Sequence, residues 1–241
     1  MTRSPNLHIS VDSADVSNGL SVPAAVAARL REAIFSGELA GGALLRQEEI
    51  SQLFSVGRPP VREALTLLEA EGLVLSRPRR GFVVANLNLS EIEEIFEIRG
   101  MLEERAAYLA AQRRTLDDVT AMENLVRKME RTKIRNLDDA IAFSLLNRDF
   151  HDLIHGVSGR KIMAHVMLGL RNKVERFVRL GCMISGNLDA VNLDHSLILD
   201  AFRAGDAERM SALCKEHVRT TGERLIHALG QNAQMPNGEI S

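Results

Sequence analysis

The chain has 241 residues, 45% of them hydrophobic, with a net charge of −2 and a sequence pI near 6.4. That length and composition support one large or two ordinary domains, and the balance of charge excludes a globally basic nucleic-acid binder, so any basic surface must be local. Two cysteines, Cys182 and Cys214, occur with no C-x-x-C, no apolar run approaches a membrane span, and the start "MTRSPNLHIS" has no signal-peptide core; a reduced, cytoplasmic setting is the expectation.

Residues 1–20 and 230–241 are polar and are expected to be disordered tails. Between them the first amphipathic segment runs from Val22 to Ser36 and stops at Gly37. A Gly-rich connection leads to a short helix from about Gln47 to Phe54. Next comes "SVGRPPVREALTLLEAEGLVLSRPRRGFVV", from Ser55 to Val84. Its prolines predict a helix beginning near Pro60. Val61, Ala64, Leu65 and Leu68 then recur with helical spacing, which leaves Arg62 and Thr66 on a presented face. After Gly72, "LVLS" and "GFVVA" read as two strands joined by the turn Arg77-Pro78-Arg79-Arg80-Gly81. Between Arg58 and Arg80 five arginines face Glu63, Glu69 and Glu71, a local net charge of +2. Three helices and a basic hairpin predict a winged helix-turn-helix over residues 21–86, with its third helix placed to enter a major groove of double-stranded DNA.

From residue 87 to 229 the pattern turns wholly helical, opening on an expected capping box of Ser90 with Glu93. Helices are expected at about 90–112, 116–132, 137–157, 160–181, 188–204 and 206–229, forming an antiparallel bundle. The fold class is therefore mainly α, a winged helix-turn-helix followed by an all-α bundle.

Three histidines interrupt apolar stripes in this second region. His195 stands among Val191, Ile198, Leu199 and Phe202, and His217 among Met210, Leu213 and Leu225. They lie ten and eleven residues from the Gly205-Asp206 turn, and equal arms of a helical hairpin bring equal depths together. Asn147 and His151, at i and i+4, flank the line of Phe143, Phe150 and Ile154 and reach one point. Each histidine alone fits a hydrogen-bonded core residue; together the three suit a divalent metal of the Zn, Ni or Mn type, which satisfies buried imidazoles jointly. His155 is a further, less well aligned candidate, while Asp149 and Asp152 turn toward solvent. Arg99 and Glu103 fall in the stripe of Ile92, Ile95, Phe96, Leu102 and Ala106. Either they pair with each other, or Arg99 binds an anion, or both.

The stretches "SVPAAVAARLREAIFSGELAGGALL", "VGRPPVREALTLLEAEGLV" and "RRGFVV" resemble the DNA-binding domain of GntR-family bacterial transcription regulators. "FEIRGMLEERAAYLA", "NRDFHDLI" and "DHSLILDAFRAGDAERMSALCKEHV" resemble the effector domain of its FadR-type (FCD) branch. The resemblance implies a dimeric, ligand-responsive repressor or activator. It places the DNA-reading arginines on Arg58 and Arg62 and the wing-tip contact on Arg80 and Gly81; with Arg46, Thr66 and Arg79 these form the expected DNA-binding set. It also places a metal site on Asn147, His151, His195 and His217, usually with Asp in the place of Asn147, and a grip on a small carboxylate effector on Arg99, with Asn147 beside it. Two departures stand out: Gly57 and Pro59 occupy positions where the family usually has hydroxyl residues, and Gln47 stands where Glu is frequent. A metal-dependent hydrolase and a pure metal sensor are the rival readings; for the hydrolase, Asp149 and Glu103 are only distant candidates for a general base.

Overall fold

The computed structural model describes residues 20–78, 81–185 and 188–233, and the chain divides into two compact units that meet between Leu87 and Asn88. The first unit contains α1 (Val22–Phe35), β1 (Leu44–Leu45), α2 (Gln47–Leu53), α3 (Arg58–Ala70), β2 (Val74–Arg77) and β3 (Gly81–Val84). The expected tails lie mostly outside the described residues, as do Arg79 and Arg80 at the hairpin tip.

Ser21 caps α1, its side chain accepting from the Ala24 amide, with Pro23 in the first turn. Val26, Leu30 and Ile34 of α1, Ile50 of α2, and Val61, Leu65 and Leu68 of α3 converge with Val74, Phe82 and Val84 in one apolar core. A two-pronged pair joins Arg31 to Glu71, with Nε to Oε2 at 2.8 Å and Nη2 to Oε1 at 2.5 Å, and ties α1 to the end of α3.

Three corrections to the sequence reading concern the starts of two helices and the make-up of the sheet. α3 begins at Arg58, not near Pro60: Gly57 is the N-cap, extended at φ −67° and ψ 161°, and both prolines fall in the first turn. Amides in that turn have no helical acceptor, so proline loses nothing there. The hairpin is also part of a three-stranded antiparallel sheet in the order β1-β3-β2, with Leu44 opposite Val83 and Leu45 opposite Phe82. Two residues of strand inside a Gly-rich connection leave too little alternation to read. The third correction is the capping box below.

The second unit contains α4 (Leu89–Arg113), α5 (Leu116–Arg131), α6 (Leu137–Ser158), α7 (Lys161–Ser185), α8 (Asp189–Ala204) and α9 (Ala207–Ala233). The box that opens α4 is Asn88 with Glu91, not Ser90 with Glu93: Asn88 Oδ1 accepts from the Glu91 amide at 2.9 Å, and Glu91 Oε2 accepts from the Asn88 amide at 2.8 Å. Both pairs match the spacing, and asparagine is as good a cap as serine. The last helix also continues to Ala233, past the expected boundary at 229.

Phe150, Phe202, Ile154, Met122 and Met129 anchor the bundle core. α9 packs along α4, and Gly222 permits the approach, because a Cβ there would fall 2.7 Å from Cγ of Phe96. That closeness sets His217 and Thr221 of α9 beside Arg99 of α4. Gly205, at φ +71°, ends α8 in the left-handed conformation and turns the chain into α9.

Candidate functional site

In the first unit Arg58, Arg62 and Thr66 are spaced by four along α3 and are all exposed, while its opposite face is sealed in the core. The Thr66 hydroxyl donates to the Arg62 carbonyl at 3.0 Å, leaving its oxygen lone pairs outward. Arg58 pairs with Glu48, and Arg46 Nη1 lies 2.7 Å from Glu49 Oε1. Exposed pairs of this kind are worth about 0–1 kcal/mol, so a phosphate displaces such a glutamate at little cost. Arg62 has no acidic partner among the described residues. In the hairpin Gly81 is exposed at φ +86°, and a Cβ there would lie 3.4 Å from the Leu45 carbonyl oxygen. Glycine therefore fixes the turn that carries the basic tip.

In the second unit the three histidines do meet. His151, His195 and His217 are all buried, and each offers a ring nitrogen within 4.8 Å of the others. Their ring centroids stand 4.7 Å apart for His195 and His217, 5.5 Å for His151 and His217, and 6.3 Å for His151 and His195. His195 is fully enclosed and neither of its ring nitrogens has a hydrogen-bond partner; Asn147 Oδ1 is likewise buried and unpartnered. Unsatisfied polar atoms at that depth are rare in folded chains. Burial pushes the His151 pKa down to about 4 and that of His195 well below the usual imidazole value, so both are neutral near pH 7 and carry the lone pairs a metal needs. Asp194 Oδ2 lies 3.3 Å from His217 Nδ1, an arrangement that fixes the tautomer and frees Nε2.

Glu103 is not the distant group the sequence suggested. It is buried where α4 meets α6, with Oε2 at 3.0 Å from His155 Nε2 and Oε1 at 3.2 Å from His151 Nδ1. Burial opposes its charge, yet the two histidines hold its carboxyl well below the usual carboxylate range. One oxygen is hydrogen-bonded to His155 and the other lies beside a His151 Nδ1 that has no hydrogen-bond partner, so Glu103 is flanked by imidazoles rather than standing free as a general base. His155 thus belongs to a second potential ligand group, Glu103, His151 and His155, that shares His151 with the first.

Arg99 is buried over the Phe96 ring, 5.1 Å from its centroid, and Glu103 is 4.0 Å away. Burial lowers its pKa, with Glu103 pulling the other way. An ion pair that loose leaves the guanidinium fork available. It borders a cavity of about 30 Å³ whose walls include Asn147, His151, Arg171, Glu175 and His217. Asp149 is exposed as expected; Asp152, also exposed, clamps Arg171 with contacts of 2.8 and 3.3 Å. The sequence reading missed Arg171, Glu175 and Arg179, all buried at intervals of four on α7, where Glu175 accepts from Ser144 and lies 3.0 Å from Arg179 Nε. Their signal was the one Arg99 gave, charge within a buried helical stripe, here beside Met167, Val174 and Val178. Asp194 was missed too, hidden by its place next to His195.

Comparison with known proteins decides what these two units are. Residues 23–84 match the bacterial regulatory proteins of the gntR family, and residues 94–220 match the FCD domain. The chain belongs to the GntR family, in its FCD branch. Among curated GntR relatives, the gluconate operon transcriptional repressor of Bacillus subtilis is 28% identical, with 77% of each chain covered. The HTH-type transcriptional repressor RspR of Escherichia coli is 25% identical over 85% of this chain and 89% of its own. The solved structure of E. coli McbR/YncC shares the fold, with a TM-score of 0.71 at 23% identity over 89% of this chain and all of that one. This GntR–FCD protein is accordingly a ligand-responsive, DNA-binding transcriptional regulator. No helix among the described residues is long and apolar enough to cross a membrane.

Proposed function

We propose that this regulator is a cytoplasmic homodimeric repressor that releases its operator when a small organic acid enters the bundle beside a bound divalent metal. The observation that carries this reading is the unpartnered state of His195 and Asn147 next to an Arg99 with only a 4.0 Å ion contact. Orphaned buried nitrogens and a buried cation both need a ligand. His151, His195 and His217 with the Asn147 amide oxygen would hold a metal of the Zn, Ni or Mn type. Bound there, the ion supplies positive charge for one carboxylate oxygen. Arg99 grips the other through its planar fork, and Glu103 keeps the His151 ring in place. The amide of Asn147 donates less charge than a carboxylate, which leaves the site more attractive to an anion.

In the first unit Arg58 and Arg62 read base edges or hold phosphates, with Arg46, Thr66, Arg79, Arg80 and Gly81 on the flanking backbone. Two protomers place their α3 helices in successive major grooves, and the effector must prefer one arrangement of them. Fluorescence anisotropy with DNA from upstream of the protein's own gene tests this. The expected result is salt-sensitive, sequence-selective binding that a small carboxylate weakens; Arg99→Ala keeps the binding and loses the response, and His217→Ala lowers the metal found by mass spectrometry. Metal alone shifting DNA affinity in the Arg99→Ala protein would instead mark a metal sensor.

A further inference from the structure

We infer that the effector is an amphipathic monocarboxylate, its head in the Arg99 cavity and an apolar body of about eight carbons in a neighbouring chamber. The inference deepens the carboxylate reading above and rests on it.

The polar cavity is small. At about 30 Å³ it has room for a carboxylate head and little beyond it. Beside it, between α7, α8 and α9, lies a second cavity of about 290 Å³. Val178 and Thr221 line both, so the two chambers share a wall. The larger one is bounded by Leu188, Val191, Leu225 and other apolar groups, and among the described residues Arg224 is its one charged lining residue. Arg224 is half exposed and stands 3.8 Å from Asp194, which places it at the mouth rather than in the chamber's depth. A dry apolar cavity of about 150 Å³ is large enough for benzene, so this one accommodates an eight-carbon chain or a substituted ring.

The shared wall carries a further mark of a ligand. Thr221 Oγ1 is buried and has no hydrogen-bond partner. A hydroxyl left unsatisfied in the wall between a polar and an apolar chamber fits an oxygen-bearing group of a ligand that parts Val178 from Thr221 to reach both, with hydrocarbon on one side and charge on the other. The orientation is set by chemistry: Arg99 and the histidines receive the head, and the Leu188, Val191 and Leu225 side receives the tail.

Isothermal titration calorimetry on the full chain, as purified with its metal, tests the assignment with butanoate, octanoate and 1-octanol. Each buried methylene adds roughly fourfold in affinity, so octanoate is expected to bind at least about tenfold tighter than butanoate, and 1-octanol weakly. Arg99→Ala removes binding of both acids. Ala228→Phe, which fills the larger cavity, brings octanoate down to the butanoate level and leaves butanoate unchanged; Ala228→Met, a smaller intrusion in the same helix, does the same in part. Equal affinities for the two acids, or octanoate binding that ignores both Ala228 variants, would overturn the tail chamber while sparing the carboxylate reading; acid binding that survives Arg99→Ala would overturn the carboxylate grip as well. Failure of both acids to bind the metal-loaded protein would sink the reading beneath it as well.

Discussion

The two units treat polarity in opposite ways. In the DNA-reading unit the core is wholly apolar and Arg46, Arg58 and Arg62 are exposed; every buried polar or charged side chain among the described residues belongs to the bundle. A surface that meets a polyanion needs only display and local charge. A site proposed to enclose a small charged molecule has to bury its partners first, and such a protein would carry their desolvation until the ligand arrives. The contrast separates a unit built for stability from one built to be completed.

The strongest way to break this comparison is with acid. Burial holds the folded-state pKa of His151 at about 4, below its ordinary value of 6.5. The unfolded chain therefore binds the extra proton first as pH falls. Stability is complete above about 6.5 and is lost on the way down to about 4, by on the order of 3 kcal/mol for metal-free protein. His195 adds to the loss in the same direction. Calorimetry between pH 7 and 4 checks this; a flat profile would mean that the bundle does not bear its imidazoles uncharged.

The next sharpest test replaces His195 with Leu. An unpartnered imidazole exchanged for an apolar side chain is expected to leave the metal-free protein as stable or more so. The stabilisation added by metal, about 2.7 kcal/mol when the ion is at a hundred times its Kd, should vanish. Thermal melts with zinc and with chelator separate the two effects. Arg62→Ala probes the other unit: operator affinity drops by about 1–3 kcal/mol, while the melting temperature stays put because the side chain is exposed and carries no packing. The smallest effect discriminates between overlapping caps. Asn88→Ala is expected to cost about 1 kcal/mol in urea unfolding and Ser90→Ala only a few tenths.

The helices of the bundle were legible because their apolar spacing persists over many turns, and His195 and His217 were legible because each breaks such a stripe at equal distance from one turn. Arg171, Glu175 and Arg179 were not, since three charges on one face dilute the stripe that would have flagged them as buried. Glu103 was seen beside Arg99 on its helix but its histidine partners were not: its contacts with His151 and His155 depend on how α4 crosses α6, which no local pattern encodes. The overlap of Asn88–Glu91 with Ser90–Glu93 shows the limit at termini, where two registers satisfy one rule.

One consequence follows from the way α3 begins. Gly57 brings no hydroxyl, and Pro59 and Pro60 have no N–H, so the helix start offers a DNA strand few fixed amide donors. Attachment there falls to long guanidinium arms, which act mainly by expelling the cation cloud condensed on the duplex. Each such phosphate contact adds about 0.9 to the slope of log affinity against log salt, so the grip on the operator is tuned by the ionic strength around it as well as by the occupant of the bundle.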